Sequence, residues 1–408
     1  MVALLDAVEH GTDAGERVGR GIVEAIADEF APGGHSAISV EFLGDGFVYV
    51  GGDGDAVGGC GLLESPADVL GVGEAGPLVL RLHTNQCNNC IRRREWGCLR
   101  QTGRMEIVVP AALTEFHVKH DGEAGRAWAV GLPALAERYL ERWELRLDGE
   151  PAHGMVSMVL PVVRADGTRA ALKLQPVSDE NVGEGPGLRA WAGDGSVLLL
   201  DDDPATGTLL LERLDAERPL SAVPDAMKAL GILTELLRRL VVVPAPVGMR
   251  RLGDVAGDML GDVPEAVAGL HRERDRDWVR VCAGAVRELV DEPGDRLLHW
   301  DLHYDNVLAG EREPWLAIDP KPLAGDPGFD LMPALRNRWE EVVASGDVRR
   351  AVLRRFDFMV DGLGLDPQRA AGWTLGRVLQ NSLWDVANGE RELNEVQLAV
   401  AEAVHHRL

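Results

Sequence analysis

The pattern of apolar and polar positions changes character near Met105. Downstream of it, stretches with a helical period alternate with short runs of period two, the marks of amphipathic helices and half-buried strands. The run WAVGLPALAERYLERWEL predicts a helix over 132–143 that feeds a strand over 144–147. The turn DGEPAHG separates this strand from a second at 155–163. The hairpin signal Ala165-Asp166-Gly167-Thr168 then leads into a third at 169–175. A short helix near 183–191 follows, and the strands VLLLDDD and GTLLLERL, joined by 204–207, complete a small antiparallel sheet. Beyond Ser221 the pattern is mostly helical, except around 297–319. This order predicts an α+β fold of two lobes: a β-rich small lobe at 105–215 and a mainly helical large lobe at 216–408.

The first 104 residues follow a different pattern and are set apart as an N-terminal extension. They hold the glycine-heavy FLGDGFVYVGGDGDAVGGCG, the run HTNQCNNCIRRREWGC with three of the five cysteines, and one helical stretch at about 14–29. They read either as a separate module or as sequence ahead of a true start at Met105. The second reading is preferred, because the remainder forms a complete unit without them. The glycines of 44–59 lack the strand–G-x-G-x-x-G–helix context of a dinucleotide site. Cys87, Cys90, Cys98 and His83 are four possible zinc ligands. No second C-x-x-C accompanies them, so no metal is assigned there.

Charge narrows the function classes. With 66 acidic residues against 42 basic ones, the chain carries a formal net charge of -24, which repels nucleic acid and anionic membrane surfaces and attracts a small cation. Hydrophobic residues make up 46% of the chain, enough for a large core. No apolar run approaches the ~20 residues that span a bilayer. The N-terminus lacks the apolar centre of a secretory leader, and an odd number of cysteines argues against a disulfide framework. A cytoplasmic enzyme is the expectation. Nearly all the positive charge is arginine; lysine occurs only at Lys119, Lys173, Lys228 and Lys321, so a lysine in a good context carries weight.

The strongest chemical signal is LLHWDLHYDNVLAGEREPWLAIDPKPLAGDPGFDL. His299, Asp301 and Asn306 form H-x-D-x-x-x-x-N, and Asp319 closes a short strand thirteen residues after Asn306. Phosphoryl transfer needs a carboxylate to orient the attacking hydroxyl and hard oxygen ligands for the Mg²⁺ on the ATP phosphates. Asp301 on a tight loop suits the first role. Asn306 and Asp319, brought together by a hairpin between LHYDNVLAG and PWLAID, suit the second.

This segment resembles the catalytic loop and metal-binding strand of the aminoglycoside phosphotransferases, distant relatives of protein kinases. More narrowly, WLAIDPKPLAGDPGFDL is similar to the streptomycin 6-kinase branch, grouped with hydroxyurea phosphotransferases. The similarity runs from about Val108 to the C-terminus, through VPAAL, GEAGRAW, LPALAERYLERWELRLDG, ALKLQPV and DPATGTLLLERLD. One departure is Trp300, where many aminoglycoside kinases carry glycine.

The resemblance implies a two-lobe protein-kinase-like fold that transfers phosphate from ATP, with Mg²⁺, to a small cationic antibiotic. Position 6 of streptomycin's streptidine ring is the implied acceptor. Further parts follow. Lys173 on the third strand would pair with the α- and β-phosphates. Glu184, eleven residues on, would be its ion-pair partner, with Glu180 the competing choice. Gly149 and Gly154 in DGEPAHG would cover the phosphates, and Glu212, Arg213 and Leu214 would present backbone to adenine. His299 and Asp330 read mainly as braces of the catalytic loop, while His303 is left unassigned. Candidates for the acceptor site are Asp326, Asp330, Asn337, Glu340, Glu341, Trp384 and Asp385. Carboxylates there would pair with amines or guanidinium groups.

Overall fold

The computed structural model describes residues 107–408, together with the backbone of one strand pair nearer the N-terminus. That pair, β1 (Ser39–Leu43) and β2 (Phe47–Gly51), is antiparallel, with Ser39 opposite Gly51. It belongs to a unit spanning Met1–Gly103; Arg104–Leu408 forms a second compact unit. The helical stretch at 14–29 and the cluster of Cys87, Cys90, Cys98 and His83 lie outside the described residues.

The second unit starts with α1 (Ala111–Arg142), far longer than the 132–143 helix predicted. Gly122, Gly125, Gly131 and Pro133 hide its extent, because glycine and interior proline normally mark a helix end. Gly122 does break the helical geometry, with φ 59 and ψ -130, and the helix resumes on its far side. The sheet comprises β3 (Arg146–Leu147), β4 (Ala152–His153), β5 (Met158–Val163), β6 (Arg169–Leu174), β7 (Leu199–Asp203) and β8 (Thr208–Glu212). Its order is β3-β5-β6-β8-β7, with β4 also paired to β5. Strand alternation places Met158, Leu160, Val162, Ala170, Leu172 and Leu174 against Leu113, Leu132, Ala136 and Tyr139 of α1. Each leucine fully buried there contributes roughly 2 kcal/mol.

Between β6 and β7 sits α2 (Glu184–Trp191), whose Leu188 and Trp191 join Leu209 and Leu211 of the sheet's other face in the core of the large lobe. Then β9 (Asp215–Pro219) leaves the small sheet and pairs with β11 (Val307–Ala309), which pairs with β12 (Leu316–Ala317). Helices α3 (Ala226–Leu240), α4 (Leu252–Gly269) and α5 (Glu273–Leu289) follow. A two-strand ladder, β10 (Arg296–Leu298) with β13 (Leu323–Gly325), carries at one end the loop that holds His299, Asp301 and Asn306. Short helices α6 (Met332–Arg336) and α7 (Trp339–Ala344) precede α8 (Val348–Leu363), α9 (Pro367–Ala387) and α10 (Glu395–Val404). Among the described residues no helix is long and apolar enough to cross a membrane.

Candidate active site

The same alternation that buries Leu172 and Leu174 under α1 turns Lys173 to the opposite face, toward α2. Its ammonium donates to both oxygens of Glu184, at 2.7 and 2.9 Å, and to Oδ1 of Asp319. Gln175 braces Glu184 from beside Lys173, donating from Nε2 at 2.6 Å. Burial alone would strip the charge from Lys173, but the two carboxylates outweigh it and hold the ammonium above its usual range. Burial likewise pushes Glu184 up against the pull of Lys173. For Asp319 burial acts upward too, yet Lys173 dominates and the carboxylate titrates at about 2. Glu180, the alternative partner, lies outside this triad and adds its negative field at Lys321 and Arg377.

The catalytic loop leaves β10 at His299. Asp330 holds it from the following turn, accepting the backbone N–H of His299 at 2.9 Å and of Trp300 at 2.7 Å. Burial pushes the Asp330 carboxyl up to about 7, with the two amides acting the other way. Burial also drives His299 down to about 4, so its ring is neutral near pH 7. Nε2 donates to the Ile318 carbonyl at 3.0 Å, and Nδ1 accepts the Asp301 N–H at 3.4 Å. Both residues therefore brace the loop, as their sequence context implies. The Asp301 carboxylate accepts from Lys321 Nζ at 3.0 Å.

Asn306 donates from Nδ2 to the Asp301 carbonyl at 2.9 Å, leaving its amide oxygen without a hydrogen bond among the described residues. The β11–β12 hairpin sets Asn306 level with Asp319, since the Ile318 N–H donates to the Asn306 carbonyl at 2.9 Å. Trp300 and Asp319 both adopt left-handed backbone, with φ 67 and 56. Each such non-glycine residue costs roughly 1–2 kcal/mol, and strain of this kind gathers at functional sites. Magnesium takes oxygen ligands and needs few from protein. The Asn306 amide oxygen and the second Asp319 oxygen are hard donors of that kind, so the residues present fit the ion.

The strand preceding DGEPAHG is broken. Asp148 donates its N–H to the Pro161 carbonyl at 2.8 Å, and Gly149 sits beside Pro161 with φ 152. After the break β4 resumes pairing, and the chain turns back through residues 154–157, closed by Gly154 N–H donating to Ser157 O at 3.0 Å. Val159 lies opposite Lys173 in the ladder, so this tip extends from the end of the sheet that carries the lysine. Gly154 is at the tip; Gly149 is not. At the crossing between lobes, the Glu212 carboxylate is held by the Leu198 N–H at 2.8 Å and Arg312 at 2.6 Å. The Glu212 side chain is thus engaged within the fold, leaving backbone as what this residue can offer there.

The acceptor candidates divide. Asp330 is fully buried with both oxygens on loop amides, so it is unavailable to a ligand. Asp326 caps the turn after β13, accepting the Gly328 N–H at 2.8 Å and pairing with Arg369 at 2.5 Å. Gly325 lies opposite Arg296, the end of the ladder away from His299. Asp326 is therefore a turn former, because its lone pairs are already engaged far from Asp301. Asn337 accepts the Tyr304 N–H at 2.9 Å and is structural; Glu341 pairs with Arg338, and Glu340 is exposed. Trp384, 39% exposed, stands beside the buried ring of Trp300, with centroids 6.1 Å apart. Asp385 is half-buried, pushed up by that burial and partly offset by the Gln397 amide at 3.2 Å.

Sequence reasoning missed three groups around Asp301. Lys321 was visible only as one of four lysines, with no motif to give it a role. Gln380 accepts from Trp300 Nε1 at 3.1 Å, and Arg377 lies over the rings of Trp300 and Trp384 at 5.3 and 5.4 Å. Both come from α9, some 80 residues downstream, and no local spacing links them to the loop.

A small antiparallel sheet over a helical lobe, with the Lys173–Glu184 pair reaching Asp319 beside the loop that carries Asp301 and Asn306, is the arrangement of a kinase-like phosphotransferase. The chain belongs to the aminoglycoside/hydroxyurea antibiotic resistance kinase family, whose pattern covers residues 142–389. It is 57% identical over 298 residues to the streptomycin 6-kinase of Streptomyces griseus, covering 73% of this chain and 97% of that protein. It is 52% identical over 316 residues to the hydroxyurea phosphotransferase of Kitasatospora aureofaciens, covering 77% and 90%. A streptomycin 3''-kinase of Klebsiella pneumoniae is more distant, at 28% over 257 residues, 61% of this chain and 92% of that one.

Proposed function

We propose that the chain transfers the γ-phosphoryl group of ATP to the hydroxyl at position 6 of streptomycin and thereby confers resistance. The observation that carries this reading is the approach of Lys173, Glu184 and Asp319 to one another across the cleft that also holds Asp301 and Asn306. Lys173, fixed by Glu184, grips the nucleotide phosphates. The tip at Gly154 covers them, and the backbone at Glu212–Leu214 receives the adenine, while Gly149 shapes the strand. Asn306 and Asp319 hold Mg²⁺, which when bound neutralises charge on the phosphates. Asp301 accepts the proton of the attacking hydroxyl, and Lys321 fixes the orientation of its carboxylate.

On the acceptor side, Trp384 offers an exposed indole face to a cationic ring and Asp385 a carboxylate to its amines. The preference for streptomycin over hydroxyurea follows the higher identity to the 6-kinase. An enzyme that consumes ATP works where the nucleotide is made, and we assign it to the cytoplasm on that ground. ADP release with ATP, Mg²⁺ and streptomycin tests the reading. Asp301→Asn should lower turnover by about 10²–10⁴, the usual contribution of a general base. Turnover with hydroxyurea and none with streptomycin would reassign the substrate; turnover surviving in Asp301→Asn would remove the aspartate from the chemistry.

A further inference from the structure

The family pattern begins at residue 142, where α1 ends, yet a side chain from the first part of that helix reaches the tip at 154–157. His117 is buried, with 2% of its surface exposed. Its Nδ1 donates to Asp121 Oδ2 at 2.8 Å and its Nε2 to the backbone carbonyl of Val156 at 3.1 Å.

The ring is fixed by Trp128, 4.5 Å away between centroids, and by the edge of Phe116 at 5.5 Å. Trp128 comes from beyond the break at Gly122, so the helix turns back on itself to make this contact. The turn is tight: a Cβ at position 125 would lie 2.2 Å from the His117 carbonyl oxygen, and only glycine fits. GEAGRAW is thus the sequence of an elbow that presents His117 to the sheet.

What the bond to Val156 does follows from peptide geometry. The unit joining Val156 to Ser157 is planar and trans, so fixing its carbonyl toward α1 aims the Ser157 N–H the opposite way. That N–H makes no backbone hydrogen bond among the described residues. A backbone donor held in advance at a loop tip is what a phosphate oxygen needs. We infer that the elbow of α1 is a latch on the nucleotide-covering tip, with His117 the positioning residue that orients the Ser157 amide. This rests on the reading of that tip as the phosphate cover. The latch removes part of the entropy of ordering the tip when nucleotide binds, so it acts on nucleotide affinity rather than on the transfer step.

The test compares the full chain with His117→Phe and His117→Gln. Phenylalanine keeps the ring packing on Trp128 and loses both hydrogen bonds; glutamine keeps a donor for Val156. ADP affinity by calorimetry should weaken about tenfold in His117→Phe and less than about threefold in His117→Gln, the scale of one lost hydrogen bond. The KM for ATP should follow, with kcat within about twofold, and amide exchange at the tip should quicken in the Phe variant alone. Asp121 is half exposed, so Asp121→Ala keeps the fold and should shift affinity the same way by a smaller factor. Equal affinity and equal exchange in His117→Phe and wild type overturn the latch. No ADP binding by wild type overturns the nucleotide reading of the tip and the latch with it.

Discussion

The two halves of the cleft are built on opposite terms. On the proposed nucleotide side, Lys173, Glu184, Asp319 and Gln175 form a closed set in which each charge has a partner within 3 Å. On the proposed acceptor side, Trp300 is held in strained backbone between two arginines, and polar atoms go without partners. Arg250 lies 4.9 Å over its ring with one terminal nitrogen buried and unpaired, and Arg377 is fully buried with Nε unpaired. Burial pulls the Arg377 guanidinium down to about 10. A closed charge set fixes one chemistry and tolerates no loss; a packed aromatic wall fixes a shape and tolerates repacking. On the proposed reading the first half makes this chain a kinase and the second selects its acceptor.

The largest effect should come from breaking the closed set. Lys173→Ala leaves the buried Glu184 facing the partly exposed Asp319 without their shared cation, a stability loss of about 4 kcal/mol. With the phosphate-gripping charge gone, kcat/KM should fall by about 10²–10³. Adding Glu184→Gln removes the unpaired charge and should recover stability without recovering turnover. Recovery of both would mean that Lys173 serves the fold alone.

Next is the acceptor wall. Trp300→Gly relieves the left-handed strain, worth about 1–2 kcal/mol, and empties the volume of a buried indole, worth about 3–5 kcal/mol. The variant should be less stable by about 3 kcal/mol in denaturant unfolding. Its KM should change for the acceptor and not for ATP, and it should accept bulkier acceptors. A shift confined to ATP would erase the division between the two halves.

That division also separates what the sequence made legible from what it hid. Lys173 and Glu184 lie eleven residues apart on a strand and the helix after it. Asp301, Asn306 and Asp319 lie close together on a loop and one hairpin, so within each group local pattern implies geometry. The small sheet was legible for the same reason, to within three residues at β5 and one at β6. Asp330 and Asp326 are candidate acceptor residues on sequence alone because an aspartate's identity does not reveal which of its lone pairs are engaged. Asp330 is taken by the amides of residues 30 and 31 positions earlier, a contact only the tertiary fold creates. The start of α1 was hidden by glycines that serve a close approach rather than a helix end. Arg377 and Gln380 stayed silent because helix packing, with no motif, brings α9 to the loop.

The brace beneath both halves should reveal itself in acid. His299 titrates at about 4 when folded against an ordinary 6.5, so between these values the unfolded chain binds more protons. Its contribution is complete above the ordinary value and declines as pH falls toward about 4. At about pH 5 the loss should be on the order of 2 kcal/mol. His299→Gln keeps a donor for the Ile318 carbonyl and cannot titrate. The stability gap between wild type and this variant should therefore narrow by that amount between about pH 7 and pH 5. A constant gap would show that the ring is not neutral in the folded loop.

The smallest effect joins the two halves. Lys321 follows Asp319 by two residues, its backbone N–H donates to the His299 carbonyl at 3.0 Å, and its ammonium reaches Asp301. Burial would discharge it, but Asp301 and Asp319 together hold it charged. It therefore belongs to the charge network by its partners and to the acceptor side by its position beside the attacking group. If its part is to orient Asp301, Lys321→Met should lower kcat about tenfold, the scale of one charge-assisted hydrogen bond, and leave the KM for ATP within about twofold. Lys321→Arg keeps the charge and a donor and should retain most of the rate. A rise in the KM for ATP matching the loss at Lys173 would instead place Lys321 on the phosphates, and the boundary between the halves would run between Asp301 and its own lysine.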